Sequence, residues 1–485
     1  MKVEPHLFVV LGGTGDLMRR KLLPALYRAF RENRIECALI VGCGVETDLD
    51  DRSYRELAAR ALAESGETDQ AAVAGWCERC LAYQAMGRGD SSDYHALALR
   101  LENLKTDCAP PANRIFYLAL PPNVVPDAIM KLGEAGLNIS PGWTRVVVEK
   151  PFGHDLDSAC ELNRVLHTWY RENQIYRIDH YLGKETVQNL MVFRFSNAVF
   201  ETLWNRDRVE QVEITVAETL GVERRAAYYE KAGAVRDMIQ NHLTQLLTIT
   251  AMELPAAFDP DAIRYEKAKV LSAVQPIRRE DVVLGQYTQG VIDGVKVPGY
   301  REEPGVAPDS QTETFAAIRL WIDNWRWQGV PFYLRTGKRM ARRLSQVVVT
   351  FNTPPLAIFK PGPDGGVHPN VLTITLQPDE GFDLDFGVKA PGTEIRVARQ
   401  RLHFRYSEAF APLAPAYETL LLDVMTGDPT LFVSSQWVEA SWALYTPLLR
   451  NRPPAYPYPA GTWGPAEADR LLAGEKAPGP AMHAG

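Results

Sequence analysis

Nine consecutive residues, RIDHYLGKE, combine side chains that suit the binding of a phosphorylated sugar. The run extends from Arg177 to Glu185 and supplies two basic side chains, a histidine, a phenol and two carboxylates around one glycine. Cations and a phenol can hold a phosphate group, and a carboxylate can orient a catalytic base. We therefore interpret the run as part of a sugar-phosphate site.

A glycine-rich turn near the start of the chain is typical of a dinucleotide site. It follows the apolar run 6–11 and precedes a helical pattern over 16–30. Backbone N–H groups in such a turn hold a pyrophosphate at the helix N-terminus. The spacing is not the standard GxGxxG, but the position between the first strand and the first helix favours a cofactor loop over an ordinary tight turn. The candidate residues are Gly12, Gly13, Thr14, Gly15, Asp16 and Leu17.

Two more motifs place polar side chains next to apolar elements. Lys150, in the run EKPFG, directly follows a strand-like run and is therefore placed to face a ligand. Asp237 and His242 lie on one helical pattern, five residues apart. This spacing corresponds to about 500° of α-helical rotation, so we expect the two side chains on adjoining faces. An imidazole titrates near neutral pH, as a general base requires.

The hydrophobic patterns predict two domains of different type. Short apolar strands at 6–11, 37–43, 114–120 and 144–148 alternate with helical patterns, which indicates a parallel sheet. Polar and apolar residues alternate at 209–216, 315–321, 345–351 and 371–376, which indicates an antiparallel sheet. Helices are expected at 234–252, 260–274 and 416–425.

The predicted fold class is an α/β Rossmann-type dinucleotide-binding domain followed by an α+β domain with a large, mainly antiparallel sheet. The first domain is assigned to residues 1–185 and the second, for substrate binding and oligomerisation, to residues 186–473. Proline and glycine cluster at 353–366 and 453–464, which are predicted as loops. The Gly/Pro/Ala-rich stretch 474–485 is predicted to be a flexible tail.

Composition narrows the class of protein. The chain has 485 residues, of which 46% are hydrophobic and 23% charged, and a net charge of −7, which argues against nucleic acid as a partner. No apolar run reaches membrane-helix length and the N-terminus is unlike a signal peptide, so we expect a cytoplasmic protein without a membrane partner. Cys77 and Cys80 form a CxxC that we interpret as incidental thiols, with a redox role as the alternative; we expect no bound metal, because no metal-ligand cluster is visible.

The run 177–185 is identical to the substrate signature of the glucose-6-phosphate dehydrogenase family, and the resemblance extends over roughly residues 6–450. It implies that His180, Tyr181 and Lys184 bind the sugar phosphate. It also implies that Asp179 orients the catalytic histidine and that Lys150 contacts both sugar and cofactor.

Other segments extend the resemblance. RDMIQNHLTQLL is similar to the family's helix in which the histidine, here His242, is the general base and the aspartate, here Asp237, binds sugar. GGTGDL resembles the coenzyme loop. The further positions implied by the resemblance are Lys21 and Pro121 near the cofactor, and Glu223, Lys338, Arg343 and Gln377 near the sugar.

The chain departs from the family where cofactor choice is expected. Many members carry at position 45 an arginine that holds the 2′-phosphate of NADP, and here the residue is Val45. Glu46 or Asp48 is suited instead to accept a hydrogen bond from a ribose 2′-hydroxyl and to repel a phosphate. The sequence therefore predicts NAD, or use of both NAD and NADP with a preference for NAD; Arg52 is an alternative cation for NADP.

The resemblance implies an NAD(P)-dependent dehydrogenase that oxidises C1 of glucose 6-phosphate to 6-phosphogluconolactone, the first step of the oxidative pentose phosphate pathway. The alternatives are a dehydrogenase of another hexose 6-phosphate and a non-catalytic nucleotide-binding regulator of the same fold. A homodimer formed through the open sheet of the second domain, or a homotetramer, is expected.

Overall fold

The computed structural model describes residues 3–35, 38–104, 112–356, 358–361, 367–411 and 413–472, so the predicted tail 474–485 lies outside the described residues. The chain divides into two compact units. The first unit comprises Met1–Lys184, Phe258–Arg264 and Ala414–Glu439, and the second comprises Glu185–Ala257, Tyr265–Leu413 and Ala440–Gly485.

The first unit is built on a six-stranded parallel sheet with the order β3-β2-β1-β4-β5-β6. Aspartates start four of its helices: the side chains of Asp50, Asp69, Asp90 and Asp155 accept hydrogen bonds from first-turn N–H groups. The strands are β1 (His6–Leu11), β2 (Ala38–Gly44), β3 (Leu81–Ala85), β4 (Asn113–Leu118), β5 (Thr144–Glu149) and β6 (Ile175–Ile178). The helices are α1 (Leu23–Arg31), α2 (Asp51–Glu64), α3 (Gln70–Cys80), α4 (Ser91–Asn103), α5 (Val125–Glu134) and α6 (Leu156–Trp169), with a π-helical turn at Met18–Leu22 before α1.

The predicted parallel sheet is confirmed, with β1, β2, β4 and β5 at the predicted places. The sequence patterns missed β3 and β6. β6 was not predicted because its run IYRI contains Arg177, and an arginine normally lies at an exposed position. Arg177 is fully buried because its guanidinium pairs with Glu172 at 2.9 Å and donates to Asn163 at 2.9 Å.

The second unit is built on a ten-stranded, mainly antiparallel sheet with the order β14-β17-β16-β15-β13-β7-β12-β11-β8-β18. The strands are β7 (Val209–Ala217), β8 (Val282–Thr288), β9 (Gly290–Ile292), β10 (Val295–Val297), β11 (Phe315–Trp321), β12 (Pro331–Gly337), β13 (Leu344–Phe351), β14 (Lys360–Pro361), β15 (Val371–Gln377), β16 (Gly381–Lys389), β17 (Arg396–Arg405) and β18 (Ala455–Pro459), of which β9 and β10 form a separate hairpin. The remaining helices are α7 (Glu185–Phe195), α8 (Ala198–Leu203), α9 (Ala226–Ala234), α10 (Thr244–Ala251), α11 (Pro260–Ser272), α12 (Tyr406–Ala409), α13 (Ala416–Thr426), α14 (Ser435–Arg450) and α15 (Asp469–Leu472), and α13 belongs to the first unit.

Two features of the second unit differ from the predictions. The segment 453–464, predicted as a loop, contains β18, which pairs in parallel with β8. Its sequence AYPYP carries two prolines, which a strand tolerates at the edge of a sheet. The predicted helix 234–252 is π-helical over Val235–Leu243 and becomes α-helical only at α10. Within the described residues, none of the helices combines the length and apolar character needed to cross a bilayer.

The strands β13 and β15 of the second unit's sheet are packed on one face and half-exposed on the other. Along β15, Leu372, Ile374 and Leu376 are buried while the alternate residues are half-exposed. On the packed face, the ring of Phe382 in β16 lies 5.0 Å from that of Phe193 in α7. The open face is therefore a property of these strands and not of the whole sheet, because all seven residues of β11 are buried.

Candidate functional site

The glycine-rich turn packs closely against the carboxyl ends of β2 and β4, the two strands next to β1. The N–H groups of Gly12 and Gly13 both donate to the carbonyl of Cys43, at 2.9 and 2.8 Å. Gly12 has a φ of +91°, and a Cβ there would lie 2.2 Å from the carbonyl oxygen of Ala119. Only glycine fits so close to the strand ends, and the chain turns helical directly afterwards, at Asp16 and Leu17. This strand–turn–helix geometry fits the pyrophosphate of a dinucleotide.

Glu46 lies beside this turn, after the carboxyl end of β2. The hydroxyl of Thr14 donates to both carboxylate oxygens of Glu46, at 3.1 and 3.0 Å. Val45 points outward, with 69% of its surface exposed. Arg52 is exposed and pairs with Glu56 at 3.3 Å on the first turn of α2. A carboxylate next to the turn fits the ribose diol of a bound nucleotide.

Other predicted residues of the first unit follow neighbouring strands at the same edge of the sheet. β1, β4, β5 and β6 run in parallel register, with Leu11 beside Leu118 and Glu149 beside Ile178. Their carboxyl ends therefore bring together the glycine turn, Lys150 and Asp179. This edge is where doubly wound sheets bind ligands. Pro121 lies in the exposed turn after β4, and Lys21 is exposed on the π-helical turn before α1.

The run RIDHYLGKE continues from β6 into a compact turn. Asp179 is buried, and its Oδ1 accepts a hydrogen bond from the N–H of Tyr181 at 3.0 Å. The ammonium of Lys184 lies 3.6 Å from the centroid of the Tyr181 ring, a cation–π arrangement. The rings of His180 and Tyr181 are 5.2 Å apart. The turn thus gathers an imidazole, a phenol and an ammonium within one small region.

Sequence reasoning missed a carboxylate–phenol cluster next to Lys150, in which Tyr117 is buried and Glu149 and Tyr417 are partly buried. Glu149 accepts hydrogen bonds from the hydroxyl groups of Tyr117 at 2.5 Å and Tyr417 at 3.1 Å. Burial raises the pKa of Glu149, while the two phenols and Lys150 oppose that rise. Tyr417 also stacks on His180, with ring centroids 6.4 Å apart and planes within 10°. The cluster links the EKP motif to the turn after β6.

The CxxC thiols lack the environment of a redox pair. Both are free, and they lie at the end of α3. Burial raises the pKa of Cys77 to about 11. Redox-active pairs need a lowered thiol pKa, so this geometry favours the interpretation as incidental thiols.

The second unit holds Asp237 and His242 on its π-helical segment. Both are buried, at 5% and 1% exposure. The expectation of adjoining faces assumed α-helical rotation, whereas this segment is π-helical. In a π-helix the hydrogen bonds run from residue i to i+5, so residues five apart lie closer to one face than they would in an α-helix. The hydroxyl of Tyr228 donates to Asp237 at 3.2 Å.

Side-chain hydrogen bonds hold the π-helical segment in this register. Asn241 donates from Nδ2 to the carbonyl of Arg236 at 2.9 Å and accepts from the N–H of His242 at 2.6 Å. Thr244 donates to the carbonyl of Ile239 at 2.6 Å. These bonds add side-chain donors and acceptors to the backbone groups of the segment. They therefore fix the position of His242 along the helix.

Further predicted residues of the second unit lie at the ends of its central strands. Lys338, after β12, pairs with Glu218, after β7, at 2.7 Å and lies 5.0 Å from the Tyr229 ring. Arg343 approaches Gln377 at 3.5 Å across β13 and β15. Glu223 is exposed and has a φ of +47°. The structure thus joins the predicted residues Arg343 and Gln377, and it adds Glu218 as a partner of Lys338.

The fold and the dinucleotide turn define the class of protein. A parallel sheet with a glycine turn after its first strand is a dinucleotide-binding domain, and it precedes a second unit with a large sheet and a buried histidine. This is the architecture of an NAD(P)-dependent oxidoreductase.

Comparison with known proteins identifies the family. Residues 9–189 match the family model "Glucose-6-phosphate dehydrogenase, NAD binding domain" and residues 191–478 match "Glucose-6-phosphate dehydrogenase, C-terminal domain". The chain is 45% identical to glucose-6-phosphate 1-dehydrogenase of Aggregatibacter actinomycetemcomitans, over 98% of this chain and 97% of that one. Two solved structures are similar over 98% of both chains: a glucose-6-phosphate dehydrogenase in complex with its substrate glucose-6-phosphate, with a TM-score of 0.88 and 35% identity, and glucose-6-phosphate 1-dehydrogenase from Mycobacterium avium, with 0.83 and 34%. The chain belongs to the glucose-6-phosphate dehydrogenase family.

Proposed function

We propose that this protein oxidises the C1 hydroxyl of glucose 6-phosphate to 6-phosphogluconolactone, the first step of the oxidative pentose phosphate pathway. The observation that carries the proposal is full-length family membership together with retention of His242, Asp179, Lys150 and Lys184. A regulator that had lost catalysis would be free to lose any one of them. The proposed domain roles are nucleotide binding in residues 1–185 and substrate binding and assembly in residues 186–473.

The turn after β6 is the proposed phosphate site. Lys184 supplies a positive charge, while Tyr181 and His180 supply directional donors. Tyr181 keeps Lys184 close through the cation–π contact. A phosphate-binding site selects substrates that carry a phosphate, so an unphosphorylated sugar is disfavoured. Other hexose 6-phosphates satisfy the same contacts and remain the alternative substrates.

The remaining sugar contacts are proposed for the second unit. Asp237, Glu223, Lys338, Arg343 and Gln377 offer carboxylate, ammonium, guanidinium and amide groups, which suit several sugar hydroxyls. The ion pair of Lys338 with Glu218 holds its ammonium in one place. Burial of Asp237 and its bond from Tyr228 restrict that carboxylate in the same way.

His242 is the proposed general base. It accepts the proton of the C1 hydroxyl while the C1–H bond breaks and its hydride leaves the sugar, so that C1 becomes a lactone carbonyl. Asp179 stabilises the imidazolium that forms, as an orienting carboxylate does in a hydrolase triad. A bound nicotinamide dinucleotide supplies the hydride acceptor. Lys150, at the carboxyl end of β5, orients the sugar against it.

NAD is the proposed preferred cofactor, with NADP as the alternative. The glycine turn, Lys21 and Pro121 are the proposed contacts to the pyrophosphate and nicotinamide sides, and Glu46 the contact to the adenosine ribose. Val45 offers no charge to a 2′-phosphate, and the Glu46 carboxylate repels one. The bond from Thr14 to Glu46 supports this assignment, because it places the carboxylate beside the turn.

Initial rates of reduced-nicotinamide formation with glucose 6-phosphate test the reaction and the cofactor together. We expect turnover with NAD at a higher kcat/KM than with NADP. Higher efficiency with NADP would retain the enzyme and reject the cofactor preference. Faster turnover of another hexose 6-phosphate would move the proposal to that substrate.

The variant His242→Asn separates an enzyme from a regulator of the same fold. We expect loss of turnover by a factor of about 10³ or more, because general-base catalysis typically contributes 10²–10⁴-fold. Circular dichroism and cofactor affinity should match those of the unaltered protein. Substantial residual turnover in His242→Asn would exclude this residue as the base.

We further propose a homodimer through the open face of the second unit's sheet. The half-exposed residues of β13 and β15 supply a broad face that a second copy can cover. Light scattering at micromolar concentration should give twice the chain mass of 54.2 kDa. Twice that dimer mass would indicate the homotetramer, and a single-chain mass would reject the assembly.

A further inference from the structure

Two tyrosines lie behind the Glu46 carboxylate, and no motif in the sequence indicated them. The hydroxyl of Tyr83, in β3, donates to the main-chain carbonyl of Glu46 at 2.8 Å and lies 3.3 Å from its Oε2. Thr14 holds the same carboxylate from the side of the glycine turn. Thr14 thus contacts only the side chain of Glu46, whereas Tyr83 contacts both its main chain and its side chain.

The glycines of β2 provide the space for this arrangement. A Cβ on Gly44 would lie 2.5 Å from Oε2 of Glu46 and 2.7 Å from the Tyr83 hydroxyl. A Cβ on Gly42 would lie 2.1 Å from the hydroxyl of Tyr54. Any larger residue at either position would displace a phenol or the carboxylate. The strand therefore carries a recess that is shaped for these polar groups.

The second tyrosine connects the recess to the dinucleotide turn. Tyr54, in α2, donates to the carbonyl of Gly13 at 3.2 Å, and its ring lies 5.2 Å from that of Tyr83. The pair thus spans from the turn to Glu46 and sets the distance between them. Burial, followed by the nearby Glu46 carboxylate, raises the pKa of Tyr83 well above its ordinary value. Its hydroxyl is therefore a donor throughout the neutral pH range.

We propose that Tyr83 is a positioning residue for cofactor selection, which holds the Glu46 carboxylate where it accepts a hydrogen bond from a ribose 2′-hydroxyl and repels a 2′-phosphate. The inference rests on the proposed use of Glu46 for cofactor choice. A carboxylate free to rotate would swing away from a 2′-phosphate, and the repulsion would fall. A carboxylate held on two sides cannot relax in this way, so discrimination depends on the phenol that holds it.

The variant Tyr83→Phe tests the inference by binding rather than by turnover. Isothermal titration calorimetry would give dissociation constants for NAD, NADP, ADP-ribose and ADP-ribose 2′-phosphate. We expect the ratio of the NADP to the NAD constant to fall by about 3- to 10-fold, the factor that one ordinary hydrogen bond commonly carries. The ADP-ribose pair should show the same fall, because the effect lies at the ribose. KM for NAD should rise while kcat stays within about twofold.

Two further variants make the result specific. Tyr94→Phe, at a buried tyrosine of α4 in the same unit, is the matched control and should leave the ratio unchanged. Glu46→Gln should lower the ratio at least as far as Tyr83→Phe does, and the double variant should add little to it. An unchanged ratio in Tyr83→Phe beside a lowered one in Glu46→Gln would overturn the positioning role alone. An unaltered protein that binds NADP more tightly than NAD would instead overturn the proposed cofactor preference.

Discussion

At the residue scale, partly buried polar side chains at the edge of the first unit's sheet are joined by hydrogen bonds. Glu149 has two phenol donors, and Tyr117 contributes the shorter bond at 2.5 Å. A carboxylate in a packed edge depends on such donors, because water does not replace them there. The stability of this edge should therefore respond to single hydroxyl groups.

Tyr117→Phe should lower the free energy of unfolding by about 1–3 kcal/mol, because it leaves the Glu149 carboxylate short of a donor. Tyr170→Phe is the matched control. Tyr170 is equally buried, at 2% exposure, but its hydroxyl has no hydrogen-bond partner among the described residues. Removal of that hydroxyl should change stability by less than about 0.5 kcal/mol. Urea denaturation at pH 8 measures both, and equal losses would contradict the role of the bond.

The sequence singled out candidate site residues but not the partners of their neighbours. Asp179, His180 and Lys184 were singled out because they lie together in one short run. Glu149 looked like an ordinary polar residue before Lys150, since its donors Tyr117 and Tyr417 lie far away in the sequence. Arg177 was counted among the cations suited to a phosphate, but its guanidinium is buried and bonded to Glu172 and Asn163. Long-range pairing of this kind leaves no local pattern.

At the element scale, periodicity predicted long or strongly apolar elements and failed where side chains override it. β1 has the predicted bounds because its six residues are all apolar or buried. The helix around His242 was predicted, but its π-helical register was not. That register depends on bonds from Asn241 and Thr244 to backbone groups, and hydrophobic spacing does not report them. β18 was not predicted because its two prolines are typical of a loop.

The C-terminal turn of α13 should make stability depend on pH. Burial, followed by the neighbouring Asp428, raises the pKa of Asp423 to about 7, and Arg34 opposes the rise. Asp423 is also near the helix end, where the dipole disfavours a negative charge. An unfolded aspartate titrates near pH 4. Between about pH 4 and 7 the folded chain binds the proton more tightly, so the contribution of Asp423 to stability falls as the pH rises.

Asp423→Asn should therefore gain stability over the unaltered protein as the pH rises. We expect the difference in unfolding free energy to grow by about 2–3 kcal/mol from pH 5 to pH 8, since one pKa unit corresponds to about 1.4 kcal/mol. Asp428→Asn is the comparison. It removes only the neighbouring negative charge, so the difference in unfolding free energy between this variant and the unaltered protein should grow less with pH. Urea midpoints at the two pH values measure this. A difference that stays constant with pH would show that Asp423 is ionised in the folded chain.

At the scale of the whole molecule, the sequence predicted two sheets of different type, and the structure contains both. The parallel sheet could be recognised from unbroken apolar strands, and the second from alternation. Alternation also predicted strands with one exposed face, and β13 and β15 have one.

The half-exposed face of β13 and β15 is the proposed interface between two copies of the chain. Val348, in β13, is half-exposed and pairs with Thr373 of β15 on one side and Glu213 of β7 on the other, so it lies among the central strands. A lysine there would place a charge in the middle of an interface between two copies, and a buried unpaired charge is costly. Val348→Lys should therefore shift the protein towards single chains of 54.2 kDa at micromolar concentration in light scattering.

The matched control for this interface is Val291→Lys, the same change at an exposed valine of the separate β9–β10 hairpin. It adds the same charge outside the ten-stranded sheet, so it should leave the assembled mass unchanged. Each variant should retain the circular dichroism of the unaltered protein, because Val348 and Val291 both lie at surfaces of the single chain. Dissociation by both variants would indicate a general effect of charge, and dissociation by neither would move the interface away from the open face. Only dissociation by Val348→Lys alone supports assembly through the sheet.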